Sequence, residues 1–352
     1  MQVTVFKSIR LLGILSFACL LPCLALAGFA LPGRVGAAEV TFQWEPNREE
    51  GVQGYRLYYG LRSRSYDDVV DVGNATRFTL PWLDEDKVYY FAFTAYDRLG
   101  NESDFSREIV WSSAIQDPAS NQRVTRNLLV LYTFLEGGGS TVLDVSGNGS
   151  PLDLDITDLS AIRWSENGLS IQSPAFIVSQ GPAAKIIDAV RKTNELSVEA
   201  WITPVKGAAG GAARIVGISE NPERLNITLS QEGTLDSPAA YSVRLRSTST
   251  PLAGSASLAR TENPVNGVLT HVVCTLDSAG TLRIYMDGRE TVSRFVGGTL
   301  ANWAGSMSLT LGSEVEGGSP WLGDLHLVAF YDRALSSLEV LRNFHAGPRA
   351  QR

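Results

Sequence analysis

Cysteine is nearly missing. The 352-residue chain has three, and two of them, Cys19 and Cys23, lie in an apolar N-terminal stretch. Beyond it only Cys274 remains, so no disulfide can form there and core area must hold the fold. In His271-Val-Val-Cys-Thr-Leu276 the residues Val272, Cys274 and Leu276 alternate onto one face, which predicts a buried small hydrophobe. A reactive thiol would want a basic neighbour. Charge is also sparse: charged residues make up 19%, the formal net charge is −7, and no basic face is visible, which excludes nucleic acid as a partner class. Only three histidines occur, His271, His326 and His345. None is paired in sequence with a nucleophile or carboxylate in a recognisable pattern, which argues against a nucleophilic catalytic constellation. No long apolar run interrupts the chain after its first 38 residues, so no membrane span is expected in the mature protein.

That first stretch is a separate object. Lys7 and Arg10 precede an apolar run from Leu11 to Leu26, with small-residue cleavage sites at Ala25-Leu26-Ala27 and Gly36-Ala37-Ala38. This is the pattern of a secretory signal, so residues 1–38 are expected to be removed and the protein exported, to the periplasm, the cell surface or the medium. Removal deletes Lys7, Arg10 and Arg34 and no acid, taking the formal charge from −7 to −10.

The remainder reads as strands. Glycine is abundant, at 33 residues, which suits many strands joined by tight turns. Between 39 and 113, Val40, Phe42 and Trp44 alternate before Pro46. Tyr55, Leu57 and Tyr59 alternate before Gly60, Thr76, Phe78 and Leu80 before Pro81, and Tyr89, Phe91, Phe93 and Ala95 before Asp97. Strands at this spacing with no helical period predict an antiparallel sandwich. The words Phe42-Gln-Trp-Glu-Pro46, Gly54-Tyr-Arg-Leu-Tyr-Tyr-Gly60 and Tyr89-Tyr-Phe-Ala-Phe-Thr-Ala-Tyr-Asp97 resemble a bacterial fibronectin type III module, an immunoglobulin-like sandwich. The resemblance implies Trp44 as core tryptophan, Leu83 and Tyr89 as the corner leucine and tyrosine, and a spacer or protein-contact role. Glu85-Asp86 departs from the usual Pro-Gly after that leucine.

Residues 114–126 are polar, contain Pro118 and lack periodicity, which predicts a linker. From 127 to 347 the strands resume, ahead of a short tail at 348–352. Leu196, Val198, Ala200 and Ile202 alternate before Pro204, and Ser278-Ala-Gly280 separates two strands of a hairpin. Two helices interrupt them: Pro182 to Lys192, with Ile186, Ile187 and Val190 on one face, and Ser336 to His345, opening with Ser336 and Glu339 at capping-box spacing. The words Leu131-Tyr-Thr-Phe-Leu-Glu136, Asp144-Val-Ser-Gly-Asn-Gly149, Leu196-Ser-Val-Glu-Ala-Trp-Ile-Thr-Pro204 and Leu322-Gly-Asp-Leu-His-Leu-Val-Ala-Phe-Tyr331 resemble a laminin-G-like, concanavalin-like jelly roll. The expected fold class is therefore all-β: a smaller sandwich followed by a larger jelly roll with two short helices.

Three kinds of site are considered. Asp144 and Asn148 offer hard oxygen ligands in a glycine-bearing loop, and the resemblance implies a structural Ca²⁺ near it. Two side chains are few against the six to eight oxygens calcium takes. Trp303, in the loop-like stretch Leu300-Ala-Asn-Trp-Ala-Gly305, is the candidate aromatic platform for carbohydrate. Glu195 and Glu199 are four apart, but the Glu-x-Asp-x-x-Glu strand pattern of glycosidases on this fold is not met. Asn74, Asn101, Asn148 and Asn226 sit in loose N-glycosylation matches, taken as chance. The expected function is a non-catalytic extracellular or cell-surface protein binding polysaccharide or a glycoconjugate through the jelly roll. The alternatives are an adhesion protein contacting other envelope or matrix proteins, and a polysaccharide-processing accessory or weak glycoside hydrolase.

Overall fold

The computed structural model describes residues 5–6, 37–46, 51–85, 87–106, 108–112, 122–205, 212–221, 223–234, 237–250, 259–260, 267–314 and 319–349. The chain divides into two compact units, residues 1–118 and 119–352. Each has its own core.

The first unit contains β1 (Val5–Phe6), β2 (Ala37–Trp44), β3 (Val52–Gly60), β4 (Asp68–Gly73), β5 (Arg77–Asp84), β6 (Tyr89–Asp97) and β7 (Ile109–Trp111). They form two antiparallel sheets, β1-β2-β5 and β4-β3-β6-β7. Period-two side chains from both sheets meet between them: Val40, Phe42 and Trp44 pack with Tyr55, Leu57, Phe91 and Phe93. Phe42 meets Phe91 edge-on at 4.8 Å between ring centroids. Tyr89 Oη accepts a hydrogen bond from Asp84 N at 3.1 Å, closing the β5–β6 corner.

One strand departs from expectation. Pro81 was expected to end the third sequence strand, yet β5 continues to Asp84. Leu80 pairs with Val40 and Leu83 with Ala38, so Pro81 and Trp82 together oppose Glu39 as a bulge. Proline is tolerated because β5 is an edge strand with no further neighbour among the described residues. The bulge shifts the alternation by one. Leu83 takes the inward position that Trp82 would have held, and Trp82 is turned out at φ 70°.

The second unit contains β8 (Leu128–Tyr132), β9 (Thr141–Val142), β10 (Leu154–Ile156), β11 (Ile162–Ser165), β12 (Gly168–Ile171) and β13 (Ile177–Pro182). Next come α1 (Ala184–Thr193), β14 (Leu196–Pro204), β15 (Ala213–Asn221), β16 (Arg224–Thr234), β17 (Ser237–Leu245) and β18 (Ala259–Arg260). It ends with β19 (Thr270–Leu276), β20 (Thr281–Met286), β21 (Arg289–Phe295), β22 (Ser308–Leu311), β23 (Gly323–Tyr331) and α2 (Ser337–Ala346). One sheet runs β18-β17-β16-β15-β22-β13-β10-β9; the other runs β11-β12-β23-β14-β19-β20-β21, with β8 also paired to β23. The main core lies between them. It takes Leu196, Val198, Ala200 and Ile202 from β14, Val272, Cys274 and Leu276 from β19, and Ile227, Leu229, Val243 and Leu309 from the facing sheet. Cys274 is buried there, and burial pushes its thiol pKa well up. Helix α1 adds Ile186, Ile187 and Val190. The fold is all-β with two helices among the described residues, as the sequence predicts.

The second sheet also buries its outer face. Trp201, Val273, Tyr285, Leu327, Ala329 and Tyr331 pack beneath Val340 of α2 and Val124. Helix α2 begins with the anticipated capping box: Ser336 Oγ accepts from Glu339 N, and the Glu339 carboxylate accepts from Ser336 N. Residues 122–126 lie in the span read as a linker, yet Arg123 and Val124 are built into this unit.

Candidate functional site

The outer face of the eight-stranded sheet is polar. In β16 the inward residues Ile227 and Leu229 alternate with Thr228 and Ser230. Register carries the pattern across strands. Thr310, Gly217, Thr228 and Arg244 lie in one cross-strand row, and Arg214, Ser230 and Ser242 in the next. Gly217 marks where side chains converge: a Cβ placed there would lie 3.4 Å from Ser219 Oγ, Thr228 Cγ2 and Thr310 Oγ1.

This face is built rather than merely solvated. Arg214 is buried, donates to Ser230 Oγ at 2.9 Å and pairs with the buried Glu314 carboxylate. Ser242 Oγ donates to Glu232 Oε1 at 2.5 Å. The half-buried Arg244 has its pKa lowered by burial and by the Arg214 charge, against the pull of Glu232 and Glu314. Ser219 Oγ and Thr228 Oγ1 are buried with no hydrogen-bond partner among the described residues. A buried unpaired hydroxyl costs about 1–3 kcal/mol, and these two lie on the same side of the sheet beside Gly217. Arg214, Ser219, Thr228, Ser230, Ser242, Thr310 and Glu314 are all buried, and Arg244 and Glu232 are the half-buried members of this polar cluster.

The residues anticipated from sequence lie elsewhere. Trp303 is buried at 1% exposure; its Nε1 donates to Arg246 O at 2.7 Å, and Arg191 bonds its carbonyl. It is core, not a platform. Beside it Asn226, one of the sequon matches, is buried with both ends of its amide bonded to the Ala304 backbone.

Asp144 and Asn148 do not fit a calcium site. Asp144 Oδ1 accepts from Leu131 N and Ser146 N, and Oδ2 accepts from Leu152 N and from Lys185 Nζ at 2.7 Å. Burial works to raise the Asp144 pKa, but Lys185 and these N–H groups hold it below the ordinary carboxylate range. An ammonium thus already occupies the cation's place. Asn148 turns its amide nitrogen inward to Leu128 O at 2.7 Å.

Glu199 lies on the outer face of the other sheet, entirely buried beneath α2. It pairs with Arg123 and accepts from His271 Nε2 at 3.0 Å, Asn343 Nδ2 at 2.7 Å and Tyr331 Oη at 3.3 Å. Burial opposes its charge, but Arg123 and His271 prevail and lower its pKa to about 2. Glu195 instead accepts from Ala334 N at 3.1 Å. Glu195 and Glu199, four apart in sequence but without the glycosidase pattern, hold separate structural posts.

The strands β15 and β16, which carry the polar face, have no counterpart in the sequence reading. Their signal is the Leu-Asn-Ile-Thr-Leu-Ser alternation from Leu225 to Ser230.

Residues 179–341 match the family described as the Concanavalin A-like lectin/glucanases superfamily. Among solved structures the chain is similar to domain 4 of AbnA, an extracellular arabinanase from Geobacillus stearothermophilus, in complex with arabinotriose. Identity there is 18%, covering 64% of this chain and 98% of that one, with a TM-score of 0.43. It is also similar to the receptor-binding domain of botulinum neurotoxin C/D mosaic serotype, at 11% identity over 64% of this chain and 52% of that one, TM-score 0.45. A third likeness is to a Trypanosoma rangeli sialidase mutant displaying trans-sialidase activity, at 16% identity over 79% and 46%, TM-score 0.46. No curated protein matches the sequence.

Proposed function

We propose that this is an exported binding protein that recognises polysaccharide or a glycoconjugate, at the cell surface or outside the cell, through the polar sheet face of its jelly roll and without hydrolysing it. The observation that carries the reading is the polar cluster on this face, whose half-buried Arg244 and Glu232 are the groups a saccharide would meet first, with the buried, unpaired hydroxyls of Ser219 and Thr228 beside Gly217 behind Arg244. The match of residues 179–341 to a superfamily of lectins and glucanases supports the same ligand class. A binding rather than hydrolytic role is supported by the carboxylates: Glu199 is locked in an ion pair, Glu314 is paired with Arg214, and Glu232 receives the Ser242 hydroxyl. The first unit, resembling a fibronectin type III module, serves as spacer.

The double substitution Ser219→Ala, Thr228→Val tests this on soluble polysaccharides and a glycan array. Removing two orphaned hydroxyls leaves stability unchanged or raises it, while affinity falls about tenfold for each ~1.4 kcal/mol of hydrogen bonding lost. Unchanged binding by the double variant rejects this face. Release of reducing sugar by the native protein rejects the non-catalytic reading. Capture of envelope proteins, with no glycan retained, favours adhesion instead.

A further inference from the structure

We propose a second saccharide site on the first unit, built around Trp82, where a neutral pyranose ring stacks on the exposed indole. Of the seven tryptophans, Trp44, Trp111, Trp201, Trp303 and Trp321 are buried and Trp164 is half-buried, whereas Trp82 is 83% exposed. Its exposure is imposed by the backbone. In an unbroken β5, Trp82 would follow Phe78 and Leu80 onto the core face. The two-residue bulge opposite Glu39 turns it outward, at a φ of 70° that a bulky side chain seldom adopts. Conformational strain of this kind is kept where it aims a side chain at something, and bulges recur beside binding sites.

What it faces is a surface cavity of about 550 Å³ at one end of the sandwich, lined by Trp82 with Tyr59, Tyr89, Asp67, Asp68 and Lys87 among others. Tyr59 and Tyr89 are held from behind, each ring stacked on Phe91 at 6.1 Å. Lys87 is anchored to Asp84 at 3.1 Å. The Tyr59 hydroxyl and the Asp67 and Asp68 carboxylates make no hydrogen bond to any described residue, although burial and the neighbouring Asp68 charge raise the Tyr59 pKa. A fixed aromatic plane, one free phenol and two free carboxylates suit the apolar face and equatorial hydroxyls of a sugar. Two unpaired acids against one already-paired lysine disfavour uronic or sialic acid and select neutral rings.

This site does not depend on the reading of the jelly roll, and one measurement keeps the two apart. Because Trp82 dominates the exposed indole, its emission and its quenching by acrylamide report the cavity in the full chain. Titration with cello-, manno-, arabino- and chito-oligosaccharides is expected to give a saturable emission change and protection from quenching by at least one of them. Polygalacturonate is expected to give none. The Ser219→Ala, Thr228→Val variant leaves the emission response intact, and in that background calorimetric binding of the same oligosaccharide is lost with Trp82→Ala and weakened about tenfold with Trp82→Phe. Near-ultraviolet circular dichroism checks that each variant is folded. No emission response to any oligosaccharide, or calorimetric binding that survives Trp82→Ala in the Ser219→Ala, Thr228→Val background, overturns the site. An emission change on dilution of the protein alone, or with a proline-rich peptide and no sugar, also overturns it and gives the face to a protein contact.

Discussion

An ionised carboxylate with no exposed surface is the sharpest demand any single residue makes here. Glu199 is tolerated because Arg123, His271, Asn343 and Tyr331 all reach it. Removing one member of a buried pair leaves the other uncompensated, so Glu199→Gln or Arg123→Met is expected to lower stability in urea by about 3–5 kcal/mol. The pH dependence follows. The folded pKa of about 2 lies below the ordinary 4.5, so the Glu199 contribution is complete above that ordinary value and is lost as pH falls through the folded one. The denaturation midpoint of the native protein should drop across that window, and Glu199→Gln should flatten the drop. Trp82 makes the opposite case: Trp82→Gly relieves a left-handed backbone without emptying the core, and is expected to raise stability by up to about 1 kcal/mol in the same assay. Exposure separates Trp82 from Trp303, and sequence hid it in both. A loop-like setting suggested that Trp303 was free, when its indole N–H reaches Arg246 O inside the core. Pro81 reads as the end of its strand, which leaves Trp82 out of account, when β5 runs on through a bulge that changes its phase.

At the scale of elements, local signals were readable where side-chain chemistry alone decides the outcome. The α2 start is one: Ser336 and Glu339 form their reciprocal bonds, and Ser336→Ala is expected to cost about 1 kcal/mol, measured as a shift in the thermal midpoint. The β19–β20 hairpin is another, with Gly280 at φ 88° in the turn and Leu276 opposite Leu282. Less legible were elements whose role depends on distant partners. Nothing beside Asp144 in sequence announces that Lys185, in the first turn of α1, will neutralise it. The polar face is similar. Arg214, Thr228, Ser242 and Thr310 come from four strands and become neighbours only through sheet register.

For the whole molecule, the useful boundary lies upstream of where the strands begin. The sequence places the second domain at 127, since 114–126 carries no periodicity. Arg123 and Val124 nevertheless belong to the jelly roll: one neutralises Glu199, and the other packs with Tyr331 and Val340. A fragment of residues 119–352 is therefore expected to fold as it does in the full chain. One of residues 127–352 should lose several kcal/mol, because it strands a buried charge. Urea titrations of the two fragments, followed by tryptophan emission, compare them directly; equal midpoints would assign the charge cluster no role in stability.

The lone thiol of the jelly roll has a use that its burial creates. Cys274 sits between the sheets, screened from solvent, with its ionisation suppressed. An alkylating reagent can reach it only when the two sheets part, since only the thiolate reacts. In a chain lacking the first 38 residues, the rate of mass gain under native conditions thus becomes a clock for rare opening events. A ligand seated on the folded jelly roll would slow that clock in proportion to its occupancy, without a dye, a label or an engineered probe.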